Sequence, residues 1–235
     1  MLLKSPGRLT GLSFLVLAAA MSLAPALRAQ SLSYSDQVWD FGHVGIDFTV
    51  FHTYWIANNG TTPVTVTAVT VTCECTNVYL SDSVIAPGDT AYFRMSFDTK
   101  NYYGAVNRSF DVSLDSKEVP QLQFHYLATV GQWFYGVKPD PISLFFLPAH
   151  KSLTCNITNT SFDDIKMKVV EQADPFFVTN IKESEAPRGK ALSIEVEPSG
   201  SIGAGTFKSS LTVAVDTGEA NKPALLTIPV KIVRY

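Results

Sequence analysis

Apolar and polar residues alternate with a period of two in several short segments of the chain. The clearest of these segments are residues 64–68, 93–97 and 192–197. A β-strand produces this pattern when one of its faces is buried and the other is solvated, because successive side chains point to opposite faces. No stretch after residue 30 carries a sustained helical stripe of apolar residues. The pattern therefore predicts an all-β protein.

Turn signals lie between the alternating segments. They contain the Gly, Pro, Asn and Asp residues that favour tight turns. About seven short strands in about 100 residues are typical of an immunoglobulin-like sandwich, whose two sheets bury their apolar faces against each other. The turn signals are Asn58-Asn59-Gly60, Ala86-Pro87-Gly88-Asp89, Tyr103-Gly104, Pro187-Arg188-Gly189 and Thr217-Gly218.

A self-match at a shift of 101 positions indicates that the chain contains the same unit twice. Residues 54–58 align with residues 155–159, and residues 110–115 align with residues 211–216. A repeated unit of about 100 residues indicates one domain for each copy. We therefore predict two tandem immunoglobulin-like β-sandwich domains, residues 31–132 and 133–235. Trp133, Phe134 and Tyr135 at the boundary either belong to a short, partly packed connector or cap the core of the second domain.

The first 29 residues have the layout of a secretory signal peptide. Lys4 and Arg8 precede an apolar run over residues 12–23, and small residues then lead to a cleavage site after Ala29 or, alternatively, after Ala26. The apolar run is shorter than the roughly 20 residues of a transmembrane helix. The sequence predicts a periplasmic or secreted protein in an oxidising compartment, with no membrane span after signal cleavage.

Composition and charge exclude several classes of protein. Hydrophobic residues make up 46% of the chain and charged residues 17%, which argues against a disordered chain or a coiled coil. The net charge is −3, and it becomes −6 when the leader's three basic residues are removed. An acidic chain gives no electrostatic basis for binding nucleic acid, so we expect no nucleic-acid partner.

The motifs of common enzymes are missing from the chain. There is no Gly-x-Ser-x-Gly elbow, P-loop, dinucleotide fingerprint or His-Glu-x-x-His. The histidines lack the spacing of metal ligands; they are His43, His52, His125 and His150. We therefore expect a non-enzymatic protein without cofactor or metal. It would act through contacts with an envelope or extracellular protein, since β-sandwiches leave open edges that accept a partner's strand.

Cys73 and Cys75 are the candidate disulfide or redox pair. In an extended strand their Cα atoms would lie about 6.6 Å apart, so a disulfide requires the backbone to turn at Glu74. Three interpretations remain open: a local disulfide, reduced thiols packed at a strand end, or a redox or soft-metal site. The third gives the alternative function of a periplasmic thiol-redox or copper-binding protein. Cys155 aligns with Tyr54 and is predicted to be a small buried apolar residue.

Six short motifs occur in order along the first half of the chain: Asp40-Phe41-Gly42-x-Val44, Asn58-Asn59-Gly60, Pro63-Val64, Cys73-x-Cys75-Thr76, Ile85-Ala86-Pro87-Gly88 and Phe97-Asp98-Thr99-Lys100. This series resembles a secreted bacterial family of unknown function. The resemblance covers residues 36–130 and implies a sandwich of the Hydin-like, major-sperm-protein-like or pilus-chaperone-like class, without an established activity. Glu74 departs from the family pattern, which has Gly there. A pilus-type chaperone would need a basic anchor such as Lys138 or Arg94 in the cleft between its domains.

Overall fold

The computed structural model describes residues 32–133, 137–161, 163–216 and 223–235. These residues form eighteen β-strands and no helix, so the predicted all-β fold is confirmed. The predicted signal peptide lies outside the described residues. The strands are β1 (Leu32–Tyr34), β2 (Val38–Val44), β3 (Thr49–Asn58), β4 (Val64–Val71), β5 (Thr76–Leu80), β6 (Val84–Ile85), β7 (Thr90–Asp98), β8 (Gly104–Leu114), β9 (Gln121–Val130), β10 (Val137–Asp140), β11 (Leu144–Phe146), β12 (Leu153–Asn159), β13 (Ile165–Gln172), β14 (Phe177–Thr179), β15 (Glu183–Ala186), β16 (Ala191–Pro198), β17 (Gly205–Asp216) and β18 (Ala224–Arg234).

The first nine strands build a sandwich around an aromatic core. One sheet has the order β1-β3-β7-β5, and the sheet that faces it has the order β2-β9-β8-β4-β6. Alternate residues of each strand point inward, as the burial pattern of β9 shows. The rings of Tyr54, Phe110 and Phe124 pack at centroid distances of 4.7 to 5.4 Å. One pair is edge-to-face, one tilted and one stacked, and such aromatic contacts stabilise the core beyond the burial of apolar surface.

The last nine strands repeat the arrangement of the first nine. The sheet β10-β12-β16-β14 corresponds to β1-β3-β7-β5, and β18-β17-β13-β15 corresponds to β9-β8-β4-β6. β11 pairs with β18 in parallel, as β2 pairs with β9. The second half therefore builds the second of the two predicted sandwiches, and it buries Cys155 completely, as predicted.

Each half has its own core. One cluster of buried apolar side chains comes from residues 32–130 and the other from residues 137–232. Trp133, in the predicted connector, packs against the second cluster, whereas Phe134 and Tyr135 lie outside the described residues. The boundary between residues 132 and 133 stays a prediction. No helix of the described chain is long and apolar enough to cross a membrane.

A ten-stranded sheet runs through both halves because β2 lies beside β18. Gly42 allows this close approach. Its φ is +61°, and a Cβ atom at this position would overlap the carbonyl oxygen of Leu225. The hydroxyl of Thr227 donates a hydrogen bond to the carbonyl of Phe41 at 2.6 Å. The Asp-Phe-Gly segment found in the sequence thus lies at the junction between the two halves.

Two further polar contacts connect the halves. The guanidinium of Arg94 on β7 donates to both carboxylate oxygens of Asp174, at 2.6 and 2.7 Å. The hydroxyl of Ser210 on β17 donates to the carbonyl of Phe51 at 2.9 Å and accepts from the N–H of Phe51 at 3.0 Å. Because Phe51 lies on β3, the second half satisfies backbone groups along the side of β3 that β7 does not cover.

Candidate functional site

The Cys73–Cys75 disulfide lies in a tight turn that leads into β5. The N–H of Thr76 donates to the carbonyl of Cys73 at 3.3 Å. The two cysteine Cα atoms are 5.2 Å apart, which is within the range of natural disulfides. The structure therefore has the turn at Glu74 that a local disulfide requires, and the Glu74 side chain is exposed.

Two hydroxyl groups lie next to the sulfur atoms. The Oγ1 atom of Thr76 is 3.2 Å from Sγ of Cys73, and the phenol oxygen of Tyr126 is 3.7 Å from Sγ of Cys75 and 3.9 Å from Sγ of Cys73. The two hydroxyls also hydrogen-bond to each other at 2.5 Å. Burial raises the pKa of Tyr126 to about 12, so the phenol keeps its proton at neutral pH and has one hydrogen to donate, either to Thr76 or to a sulfur atom.

The two sulfurs have different surroundings. Cys75 packs against the core of the first half. Cys73 instead lines an open surface groove of about 510 Å³. A molecule in the groove would therefore meet Cys73. The groove is lined by Thr72, Cys73, Asn107, Arg108, Ser109 and His125.

The described residues contain no group of three or more His, Cys, Asp or Glu side chains placed to hold a metal ion. His125 lines the groove beside Cys73. His52 lies elsewhere, at the junction: its Nδ1 atom is 2.6 Å from Oε1 of Glu171, and its ring stacks on Trp39 at a centroid distance of 4.1 Å. The structure thus places His125, but not His52, near the cysteines.

β5 is the longest edge strand among the described residues. The carbonyl of Cys75 accepts from the N–H of Asp98 at 2.9 Å, and the N–H of Ser81 donates to the carbonyl of Tyr92 at 3.0 Å. In an antiparallel pair only alternate residues bond to a given neighbour. The odd-numbered residues of β5 therefore face β7, and the N–H of Val78 faces away from the sheet.

Two tyrosines are exposed beside this edge. Tyr79 on β5 is 69% exposed, and Tyr92 on β7 is 50% exposed. Both point to the outer face of the sheet, since their neighbours Val78 and Phe93 point to the core. Large exposed side chains next to unpaired strand edges are typical of protein-binding surfaces. Tyr79 also lines a groove of about 520 Å³ at the junction, together with Phe51, Arg94, Asp174, Phe176, Thr206, Phe207 and Lys208.

The two basic residues considered as chaperone anchors have different places. Arg94 lies at the junction, but its guanidinium binds Asp174 and also donates to the carbonyl of Lys208 at 2.7 Å. Lys138 is exposed on the edge strand β10. Arg94 therefore acts as a link between the halves of this chain.

Sequence reasoning singled out the two cysteines but missed Tyr126. In the sequence Tyr126 is one inward residue in the alternating row of β9, where it resembles any other core position. The available signal was its hydroxyl, because a buried phenol usually needs a polar partner. The sequence did not show that this partner would be Thr76, 50 residues earlier.

Several solved structures are similar to parts of the chain. The VesB protease of Vibrio cholerae has 16% identity and a TM-score of 0.37, over 42% of this chain and 32% of that chain. SSP-19 of Caenorhabditis elegans, an MSP-domain protein like family member, has 14% identity and a TM-score of 0.36, over 41% of this chain and 98% of its own. A protein of unknown function from Porphyromonas gingivalis has 10% identity and a TM-score of 0.35, over 86% of this chain and 100% of its own.

No curated protein matches the chain significantly. A family model matches residues 32–126, which include β1 to β8, the Cys73–Cys75 disulfide and Tyr126. This part of the chain is therefore similar to the family described as "Protein of unknown function (DUF1573)".

Proposed function

We propose that the chain is a non-enzymatic protein of the periplasm or the secreted fraction that works by binding other proteins of the cell envelope. Its partner would be an extended polypeptide segment that adds to the sheet as a strand beside β5. The observation that carries this proposal is the open edge of β5, with the N–H of Val78 directed away from the sheet. Backbone hydrogen bonds then supply affinity, and side-chain contacts supply specificity.

The exposed tyrosines support the choice of β5 over the other edges. A strand added beside β5 would place alternate side chains next to Tyr79 on the outer face, where 69% of that residue is accessible. Tyrosine is favoured at interfaces because it offers a large apolar surface together with a hydroxyl. The other edge strands have at most four residues and so offer fewer backbone groups.

Cross-linking in envelope extract tests the strand-addition mechanism. The chain without its first 29 residues is incubated with the extract, cross-linked and purified, and its cross-links are located by mass spectrometry. We expect a partner whose cross-links lie at β5. The Val78→Pro variant should lose this partner, because proline removes the outward N–H without removing a hydrogen bond to β7.

Thr179→Pro is the matched control. Thr179 lies on the edge strand β14, 101 residues after Val78. Its N–H also faces away from the sheet, because the even-numbered neighbours Phe176 and Asn180 are the residues that bond to the strand beside them. We expect this control to keep the partner. The proposal is wrong if no partner cross-links to β5, or if Val78→Pro retains the partner as well as Thr179→Pro does.

The cellular location is tested separately. The protein should be recovered from the periplasm or the medium with a new N-terminus at Gln30, or at Leu27 if cleavage follows Ala26. Recovery from the cytoplasm with Met1 in place would contradict the proposed location. The alternative of thiol-redox or copper chemistry uses Cys73 and Cys75 rather than the edge of β5, so Val78→Pro leaves it intact.

A further inference from the structure

The Cys73–Cys75 disulfide contributes little to holding the fold together. A disulfide stabilises chiefly by restricting the unfolded chain, and its effect grows with the length of the loop that it closes. This one joins residues only two positions apart. In the second half, Asp174 and Phe176 occupy the equivalent positions, and that half forms the same set of strands without a cross-link. The disulfide is therefore available for a chemical role.

One sulfur of the disulfide is accessible from a surface groove, and the other packs against the core. Cys73 opens onto the groove that contains Arg108 and His125, whereas Cys75 packs against the core. In thiol–disulfide exchange the attacking thiolate must reach one sulfur along the direction of the S–S bond, and the other sulfur leaves. A thiol in the groove has access to Cys73, and an attack on Cys73 would make Cys75 the sulfur that leaves.

The leaving sulfur has a hydrogen-bond donor beside it. The phenol oxygen of Tyr126 is 3.7 Å from Sγ of Cys75 and 3.9 Å from Sγ of Cys73, so access from the groove, and not the phenol, selects the sulfur that leaves. Burial keeps this phenol protonated. Hydrogen bonds to a charged acceptor are stronger than those to a neutral one, so the Tyr126 hydroxyl stabilises a Cys75 thiolate more than it stabilises the disulfide. The exposed carboxylate of Glu74 disfavours a thiolate nearby, which increases the need for such a donor.

We propose that Cys73–Cys75 is a thiol–disulfide exchange site for a partner polypeptide that carries two cysteines. The partner's first thiolate attacks Sγ of Cys73, the S–S bond breaks, and Cys75 leaves as a thiolate that accepts a hydrogen bond from Tyr126. The partner's second thiolate then attacks its own sulfur in the mixed disulfide and releases Cys73. The partner loses two electrons and becomes a disulfide, while Cys73 and Cys75 gain two electrons and take up the two protons that the partner's thiols release.

This inference does not depend on strand addition at β5, and its test uses a small thiol. The folded chain without its leader is treated with reduced glutathione and quenched with acid. Free thiols are then alkylated, and tandem mass spectrometry locates the adduct on either side of Glu74. We expect glutathione on Cys73 and the alkyl group on Cys75. Glutathione on Cys75, or no reaction under conditions that reduce the urea-unfolded chain, would overturn the proposal.

The role of Tyr126 is tested with the Tyr126→Phe variant. We expect its exchange rate to fall on the order of tenfold, because the lost hydrogen bond would be to a charged group. The pH at which the reduced Cys75 becomes reactive toward alkylation should also rise. Tyr54→Phe is the matched control, since the buried Tyr54 hydroxyl donates to the carbonyl of His125 at 2.7 Å rather than to a sulfur.

Both variants are first compared with the wild type by thermal melting, so that a folding defect is recognised. Equal rates for Tyr126→Phe and the wild type would contradict the role of the phenol. If Tyr126→Phe fails to fold, the position of the glutathione adduct in the wild type still decides whether Cys73 is the attacked sulfur.

Discussion

Asn58 and Asn159, which are 101 residues apart, hold the corresponding turns of the two halves with the same hydrogen bonds. Each side-chain amide is buried and donates to the carbonyls that lie four and 27 residues further along the chain. Each side-chain oxygen accepts from the N–H two residues later, at 2.9 and 3.0 Å. One asparagine thus satisfies three backbone groups in each half, which explains why this position is asparagine in both copies.

Replacement of either asparagine by alanine should destabilise the protein by about 2 kcal/mol, because buried carbonyls lose their donors. Asn59→Ala is the control, since Asn59 is exposed and its side-chain amide donates to the hydroxyl of Ser33 at the surface. This variant should lower the free energy of unfolding by no more than about 0.5 kcal/mol. Urea unfolding measures all three variants. Equal losses for Asn58→Ala and Asn59→Ala would show that the buried hydrogen bonds are not the cause.

The sequence predicted the repeated strands of each half, but it did not predict the contacts between residues that are distant along the chain. The shift that aligns Asn58 with Asn159 also predicts the sandwich of the second half, since each strand carries its own alternating pattern. The link between Arg94 and Asp174 has no such signal. Asp174 aligns with Cys73 rather than with another acid, so the repeat hides its role. The groove beside Cys73 also depends on β8 and β9 lying near the turn at Glu74, which is a result of tertiary packing.

Arg94→Ala should destabilise the junction by about 2 kcal/mol. The substitution leaves the carboxylate of Asp174, which is only 8% exposed, without its bidentate partner. Because Arg94 is 29% exposed, the loss of stability should be smaller than for a fully buried ion pair. The control is Lys166→Ala. Lys166 and Glu185 form an ion pair at 3.4 Å with both side chains about 70% exposed, so we expect a loss of at most about 0.5 kcal/mol.

A double-mutant cycle with Asp174→Ala measures the coupling energy of the Arg94 pair by urea unfolding. A coupling of at least about 1 kcal/mol is expected for residues in direct contact. Arg94→Lys should recover only part of the loss, because lysine keeps the charge but not the two parallel hydrogen bonds. Full recovery by lysine would mean that charge alone holds this contact.

Gly42→Ala should strongly destabilise the packing of β2 against β18. The added Cβ would overlap the carbonyl of Leu225, and the residue has a φ of +61°, so we expect a loss of more than about 3 kcal/mol. Gly88→Ala is the matched control, because Gly88 also has a positive φ, +86°, but open space around it; its cost should be about 1 kcal/mol. Limited proteolysis should cut Gly42→Ala faster than Gly88→Ala. Similar stabilities would show that β18 moves to accommodate the methyl group.

The buried thiol of Cys155 should make the protein less stable at alkaline pH. Burial raises the pKa of Cys155 from 9.0 to about 12, and the thiol donates to the carbonyl of Pro141 at 3.4 Å. In the unfolded chain the thiol ionises near its ordinary pKa, whereas in the folded chain it stays neutral. Its contribution to stability is therefore complete below about pH 9 and is lost progressively as the pH rises from about 9 to about 12.

Comparison with Cys155→Ala isolates this effect, since alanine does not titrate. Urea unfolding at several pH values should show the wild type losing about 2 kcal/mol relative to the variant between about pH 8.5 and 10.5. The variant itself should be less stable at pH 7, because it leaves a small cavity. Tyr126, whose pKa is raised to about 12, titrates in both proteins and cancels in the difference. Parallel curves would mean that Cys155 ionises as readily in the folded chain as in the unfolded one.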